Sequence, residues 1–239
     1  MAAVDRKDQN EKVAAMGVRS VLDQALQAIR DDILRLGSLV DEAVEQACQS
    51  LKNHDKDLAQ TVVHNDDAVD SLHNRIEEHV IQTFALQQPM ARDLRQLIAD
   101  LLISNELERM GDHAEGIARA VLRHSGAWTP IIPDQVSLML DIVHRMMRDV
   151  MDAYVVMDPD KARAVARLDD QLDTLYGKLF SLLVGEMSRG ALSVEEGTYL
   201  LWAGHNLERI GDRVTNICER IVYARTGEVR EFNPKPGED

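Results

Sequence analysis

Aromatic residues are scarce in this chain, at 4% of 239 positions. Strands draw on aromatic and β-branched side chains, so a β-sandwich or barrel is disfavoured. Cysteine is nearly absent. Cys48 and Cys218 stand far apart in helical patterns, which leaves no disulfide framework and no CxxC motif. No run of about 18 apolar residues occurs, so no segment is suited to span a bilayer. Residues 1–16 lack the apolar core of a signal peptide, and the cytoplasm is the expected compartment. Basic residues are outnumbered, with 27 Lys and Arg against 41 Asp and Glu and a formal net charge of −14. A general nucleic-acid surface needs a basic patch to neutralise phosphates, and this balance argues against one. It favours cations or a basic protein as ligands.

What is present reads as helix. Hydrophobic residues make up 45% and charged residues 28%, a globular balance. Leu26, Ile29, Ile33, Leu36, Val40, Val44, Ala47 and Leu51 recur at spacings of three and four from Ala25 onward. Asn53 and His54 break that pattern, and Asp55 is placed to cap a second helix to about Phe84. Gln87, Gln88 and Pro89 make a turn, and a third helix runs from about Arg92 to Arg123. The stretch from Ser125 to Pro133 holds Gly126, Pro130 and Pro133 and is the clearest break in the chain. A helix from about Asp134 to Met157 follows. Asp158-Pro159 then opens a helix expected to run to about Arg189, and a last helix covers about Val194 to Ala224. The fold class is all-α. The expected divisions are a flexible tail (1–20), a three-helix repeat (21–125), a linker (126–133), a second three-helix repeat (134–226) and a C-terminal tail (227–239).

The two halves repeat each other. A shift of 103 lays Asp55, Asp57, Ala59, Val62, Asp66, Asp67, Asp70 and Leu72 on Asp158, Asp160, Ala162, Val165, Asp169, Asp170, Asp173 and Leu175. A shift of 100 lays Leu107-Glu108-Arg109-Met110-Gly111-Asp112 on Leu207-Glu208-Arg209-Ile210-Gly211-Asp212. Each half therefore carries an Asp-xxx-Asp and a Glu-xxx-Asp. On a helix, acids at i and i+4 share a face and repel by about 0.2–0.5 kcal/mol. A bound cation reverses that sign, because both carboxylates become oxygen ligands. At 100° per residue, Asp66 and Asp70 fall on the stripe of Ala59, Val62 and Val69, and Glu108 and Asp112 on that of Leu94, Leu97, Leu101 and Leu122. The acids are thus expected to interrupt apolar lines that face each other, where unpartnered carboxylates are costly. A solvated helix face is the plainer reading of any single acid.

Other residues have weaker claims. Gly111 and Gly211 lie on the same face as the acids and make room either for a metal or for a close helix. Arg109 and Arg209 are expected to turn away from the acids. Asn105 and His205 occupy equivalent places before each Glu-xxx-Asp. His73 follows Asp70 by one turn, but Tyr176 takes its place in the second copy. Oxygen ligation suits hard ions such as Mg²⁺, Mn²⁺, Ca²⁺ or iron, and Zn²⁺ also binds carboxylates. A ferritin-like di-metal oxidase is the competing enzyme reading. No Glu-xxx-His pair supports it, and Asp70-xx-His73 is the nearest approach.

Gln88-Pro89-Met90-Ala91-Arg92-Asp93-Leu94-Arg95, together with the two Leu-Glu-Arg-(Met/Ile)-Gly-Asp segments and Asp55 to Asp70, resembles the PhoU family of phosphate-uptake regulators. The resemblance runs from about residue 20 to 225. It implies two three-helix bundles related by a pseudo-two-fold axis, with multinuclear metal clusters (Mg, Mn, Fe or Zn) on their surfaces. Carried over, the ligands would be Asp66, Asp70, Glu108 and Asp112 in one copy and Asp169, Asp173, Glu208 and Asp212 in the other. It also implies a cytoplasmic homodimer without catalysis that restrains a phosphate ABC transporter through its PstB-like ATPase. The same resemblance implies a PhoR-like sensor histidine kinase held quiet when phosphate is plentiful. The chain departs from the family in its longer charged N-terminal segment. In the second copy, Met187-Ser188-Arg189-Gly190 replaces the Gln-Pro-Met-Ala-Arg-Asp turn.

Overall fold

The computed structural model describes residues 2–124, 132–229 and 231–232, with side chains from residue 20 onward. Among them there are helices and no strands: α1 (Ala2–Asn53), α2 (Lys56–Gln87), α3 (Arg92–Arg123), α4 (Asp134–Val156), α5 (Pro159–Ala166), α6 (Asp169–Ser188) and α7 (Val194–Thr226). α1, α2 and α3 pack on one another as one bundle, and α4, α5, α6 and α7 form the other. Among the described residues the most extensive helix–helix contact is between α3 and α7, the third helices of the two repeats. The pseudo-two-fold axis therefore passes through that seam. A lesser contact joins α1 to α4, the first helices of each repeat.

The α1 stripe behaves as its spacing predicts. Ile29, Ile33, Leu36, Val40, Val44, Ala47 and Leu51 are all fully buried. Its helix, however, begins at Ala2, where a flexible tail was expected. Residues 2–16 hold no Gly or Pro, and four of the fifteen are Ala, the strongest helix former. Periodicity marks where a helix finds a partner, not where it starts. Asp55 caps α2 by accepting from the Leu58 N–H at 2.9 Å. Asp158 caps α5 by accepting from Asp160 and Lys161, with Pro159 at the first helical position.

The helix expected to run unbroken from Asp158 is instead two. The Leu168 N–H donates to the Val165 carbonyl at 2.9 Å and the Gln171 N–H to the Leu168 carbonyl at 3.0 Å. These i−3 bonds tighten the chain for one turn, and α6 restarts with Asp169 and Asp170 at its positive end. At the C-terminus, Gly227 ends α7 at φ +79°. The chain then returns to α7. The Phe232 N–H donates to Glu219 Oε1 at 2.9 Å, and the Phe232 ring packs on the core. Apart from Ile132 and Pro133, the expected linker lies outside the described residues, as do 233–239 of the expected C-terminal tail.

Candidate functional site

The eight candidate carboxylates fall into two groups, one per bundle. Asp66 and Asp70 on α2 face Glu108 and Asp112 on α3, while Asp169 and Asp173 on α6 face Glu208 and Asp212 on α7. Burial grades them. Asp169 is buried, at 1% exposure, and Asp66, Glu108, Glu208 and Asp212 are half-buried. Asp70, Asp112 and Asp173 are the most exposed of the eight, with their carboxyl groups still partly shielded in the cases of Asp112 and Asp173. The acids therefore flank the apolar lines more than they interrupt them. On α3 the core line is Leu97, Ile103, Leu107, Met110, Ala114 and Ile117, whereas Leu94, Leu101 and Leu122 are only half-buried. Each i+4 step turns about 40° past a full helical turn, so the second acid of each Asp-xxx-Asp moves toward solvent.

The acids sense one another across the helices. Burial first, and then the charges of Glu115, Asp70, Asp112 and Glu108, push the Asp66 carboxyl up to about 7. Burial and neighbouring carboxylates also raise Glu108 and Asp112. In the second group, burial followed by Glu208 and Asp170 raises Asp173. Asp212 is raised by burial, against an opposing pull from Arg209. Convergent carboxylates that resist ionisation are a donor set chemically suited to hard cations. As they stand, no group of three or more His, Cys, Asp or Glu side chains among the described residues is placed to hold a metal ion. The donors are thus distributed over two helices and would have to turn inward to share an ion.

Gly111 and Gly211 prove to be packing notches beside the acids. A Cβ on Gly211 would lie 2.3 Å from Leu172 Cδ2 and 2.7 Å from Asp169 Oδ1. One on Gly111 would lie 3.1 Å from Val69 Cγ1 and 3.4 Å from Asp66 Oδ1. The missing side chains let α2 approach α3, and α6 approach α7, close enough to seat an Asp against the backbone.

Three residues change their standing. Arg209, expected to turn away, curls back onto its own cluster and pairs with Glu208 at 2.7 Å and Asp212 at 3.0 Å. A long flexible side chain is free to follow the field of two acids regardless of where its Cα points. Glu115 joins the first cluster, where its charge acts on both Asp66 and Asp112. Its place one turn after Asp112 signals the shared face, but its counterpart under the 100-residue shift is Thr215, so the repeat hides it. His73 lies beside Glu108, whose charge it tempers. The His73 Nδ1 is buried and meets no hydrogen-bond partner among the described residues. His205 stands at the rim of the second cluster, with Nδ1 3.6 Å from Glu208 Oε2, and Asn105 is half-buried on α3. Both thiols are buried, and burial pushes Cys48 up to about 12 and Cys218 higher still, which keeps both protonated and poorly nucleophilic near neutral pH.

Comparison with known proteins accounts for the duplicated layout. The PhoU domain model matches the chain twice, over residues 33–121 and 136–221. The chain is 36% identical over 216 residues to the phosphate-specific transport system accessory protein PhoU homolog of Clostridium acetobutylicum, covering 90% of this chain and 99% of that one. It is 34% identical over 216 residues to the corresponding Streptococcus pneumoniae protein, covering 90% and 100%. The crystal structure of the phosphate transport system regulatory protein PhoU from Streptococcus pneumoniae superposes with a TM-score of 0.82 at 33% identity, covering 88% of this chain and 99% of that one. That of PhoU from Pseudomonas aeruginosa gives 0.82 at 31% identity, covering 86% and 99%. With both repeats matched by the family model and full-length relatives above 30% identity, the chain belongs to the PhoU family.

Proposed function

We propose that this chain is a metal-binding, non-catalytic regulator of phosphate uptake, acting in the cytoplasm as a homodimer. In this reading it restrains a phosphate ABC transporter through its PstB-like ATPase and keeps a PhoR-like sensor kinase quiet when phosphate is plentiful. The observation that carries the metal part is the pair of carboxylate groups at matched positions, in which burial and neighbouring acids raise Asp66, Glu108 and Asp112 in one and Asp173 and Asp212 in the other. Asp66, Asp70, Glu108 and Asp112 would hold one cluster, and Asp169, Asp173, Glu208 and Asp212 the other. The bound ions would cancel the repulsion and fix α2 to α3 and α6 to α7. The transport part is supported by relatives named as accessory proteins of the phosphate-specific transport system. No helix among the described residues is long and apolar enough to cross a membrane, so contact with a transporter would fall to surfaces of this chain. The end of the first bundle exposes Ile81, Phe84, Leu86 and Met90 beside the α2–α3 turn, an apolar surface suited to a protein partner.

The test is deletion of the gene, with complementation by wild type or by a Glu108→Ala/Asp112→Ala variant. Phosphate uptake and starvation-gene expression are followed in rich phosphate. Deletion should release both, wild type should restore restraint, and the variant should restore it incompletely. Normal repression in the deletion strain would overturn the reading.

A further inference from the structure

The two carboxylate groups carry the same residues in sequence and differ in what already neutralises them. In the second, Arg209 donates Nε–H to Glu208 Oε2 and Nη2–H to Glu208 Oε1, each at 2.7 Å. Its Nη1 lies 3.0 Å from Asp212 Oδ2. The guanidinium fork thus engages both oxygens of one acid and one oxygen of the other, the arrangement in which Arg binds carboxylate most firmly. In the first group Arg109 is exposed and forms no ion pair with Glu108 or Asp112 among the described residues. There the space beside Glu108 belongs to His73, whose place in the second copy is taken by Tyr176.

The guanidinium takes a lone pair on each of three oxygens and its charge repels an incoming cation, so it competes with a metal ion for this site. Glu208 is the less exposed partner, at 13% for its side chain against 40% for Arg209. The route by which the pair opens is therefore outward movement of the arginine. Once Arg209 leaves, Glu208 and Asp212 are returned to Asp173 and to Asp169, which is seated against Gly211.

We infer that Arg209 is a built-in counter-ion that guards the second cluster, so that the two clusters fill in order, the first ahead of the second. The inference rests on the reading of both clusters as cation sites. Displacing a forked, partly exposed ion pair weakens the second cluster on the order of tenfold relative to the same site without the arginine.

The test uses the full-length chain stripped with a chelator and titrated with Mn²⁺, with free Mn²⁺ read by electron paramagnetic resonance and heat by calorimetry. Wild type should show two classes of site. Arg209→Gln should strengthen the weaker class by about tenfold and leave the tighter class unchanged. Arg209→Lys, which keeps the charge but not the fork, should fall between. Arg109→Gln, whose charge reaches Glu108 and Asp112 without an ion pair, should shift the tighter class by far less than tenfold and leave the weaker class unchanged, and Glu108→Gln/Asp112→Asn should remove the tighter one. Circular dichroism of each variant separates altered binding from misfolding. Equal classes in wild type, or an unchanged weaker class in Arg209→Gln, would overturn the guarding role and leave the clusters standing as metal sites. Absence of Mn²⁺ binding by wild type would overturn both.

Discussion

His113 meets Asn206 across the α3–α7 seam, with Nδ1 3.0 Å from Oδ1. One repeat later the same two positions are Arg213 and Glu106, 3.3 Å apart. The 100-residue shift that aligns the carboxylate motifs carries Glu106 onto Asn206 and His113 onto Arg213. The seam is therefore closed twice by one geometry in two chemistries, an ion pair on one side of the axis and a neutral pair on the other. Burial lowers the pKa of His113, which keeps the neutral side neutral. Asn216 also donates to Glu106 at 3.2 Å, while its counterpart Gly116 offers no side chain and Asn206 packs on its backbone, with Oδ1 3.0 Å from where a Cβ would sit.

Loss of Glu106 should cost more than loss of Asn206. Glu106→Ala strands the half-buried Arg213 charge and the Asn216 amide together, at about 1–3 kcal/mol. Asn206→Ala strands a neutral ring and removes the Nδ2–H bond to the Trp202 carbonyl, at about 1 kcal/mol. Urea denaturation of the two single variants checks the order. Glu106→Asn combined with Arg213→His should rebuild a neutral pair and lose less than the sum of its parts.

The notches make a second contrast. Alanine in place of a helix-interior glycine gains about 1 kcal/mol in helix propensity, and overpacking costs about 1–3 kcal/mol. At Gly111 the nearest approach is 3.1 Å, to Val69 Cγ1, and Gly111→Ala should come out within about 1 kcal/mol of neutral. At Gly211 the new methyl would meet Leu172 Cδ2 and Asp169 Oδ1 well inside contact distance. Gly211→Ala should therefore destabilise by about 1–2 kcal/mol net. Equal values in thermal or urea unfolding would show that α6 moves aside more freely than its packing suggests.

Much of this layout was legible in the residue pattern, for identifiable reasons. The α1 core, the Asp55 and Asp158 caps and the duplicated acids follow from spacing alone, because helix geometry converts sequence distance into a face. What spacing could not supply was the path of long side chains. Arg209 sits one residue from Glu208, a separation that places their Cα positions on different faces, yet its reach returns it to the cluster. Nor could spacing supply differences between the copies. The break at Leu168 and the recruitment of Glu115 belong to one repeat each, and repetition conceals both. The start of α1 at Ala2 escaped for another reason, since residues 2–16 combine helix propensity with no apolar periodicity in the sequence.

A pH-dependent tie joins α1 to α4. His144 places Nδ1 2.6 Å from Asp41 Oδ1 and Nε2 2.7 Å from Glu45 Oε2. Only the imidazolium donates from both nitrogens. The bond to Asp41 raises the His144 pKa above 6.5, opposed by burial and helped by Glu45. Asp141 and Arg148 from α4 and Glu42 from α1 line the same cleft. Because the folded value lies above the unfolded one, the stabilisation is complete below pH 6.5 and is lost as pH rises through the folded value. With both acids partly exposed, the effect is about 0.5–1 kcal/mol, or about 1–4 °C in Tm. His144→Gln should abolish that part of the Tm change between pH 6 and 8.5. An unchanged profile would assign the pH dependence elsewhere.

A buried acid gives the last prediction, with the opposite ionic character. Asp100 of α3 is 1% exposed and accepts from Tyr154 of α4 at 2.8 Å and from Gln96 at 2.7 Å. Burial pushes its carboxyl up to about 6, although both hydrogen bonds and Arg30 pull it down. Arg30 of α1 in turn donates to the carbonyls of Tyr154 and Val155 at the end of α4, so the group fastens three helices across the two repeats. A raised acid stabilises the fold fully below its unfolded value of 3.8, and that contribution is lost as pH rises through about 6. Tyr154→Phe removes a donor that favours the ionised form, so the folded pKa should climb further and the loss should extend to higher pH. The variant should cost about 1–3 kcal/mol at pH 7.5, where Asp100 is ionised, and about 1 kcal/mol or less at pH 5, where it is protonated. Asp100→Asn, neutral at every pH, should flatten this segment of the stability curve. Chemical denaturation at the two pH values separates the cases, and a Tyr154→Phe cost that does not grow with pH would show that the tyrosine acts through packing alone.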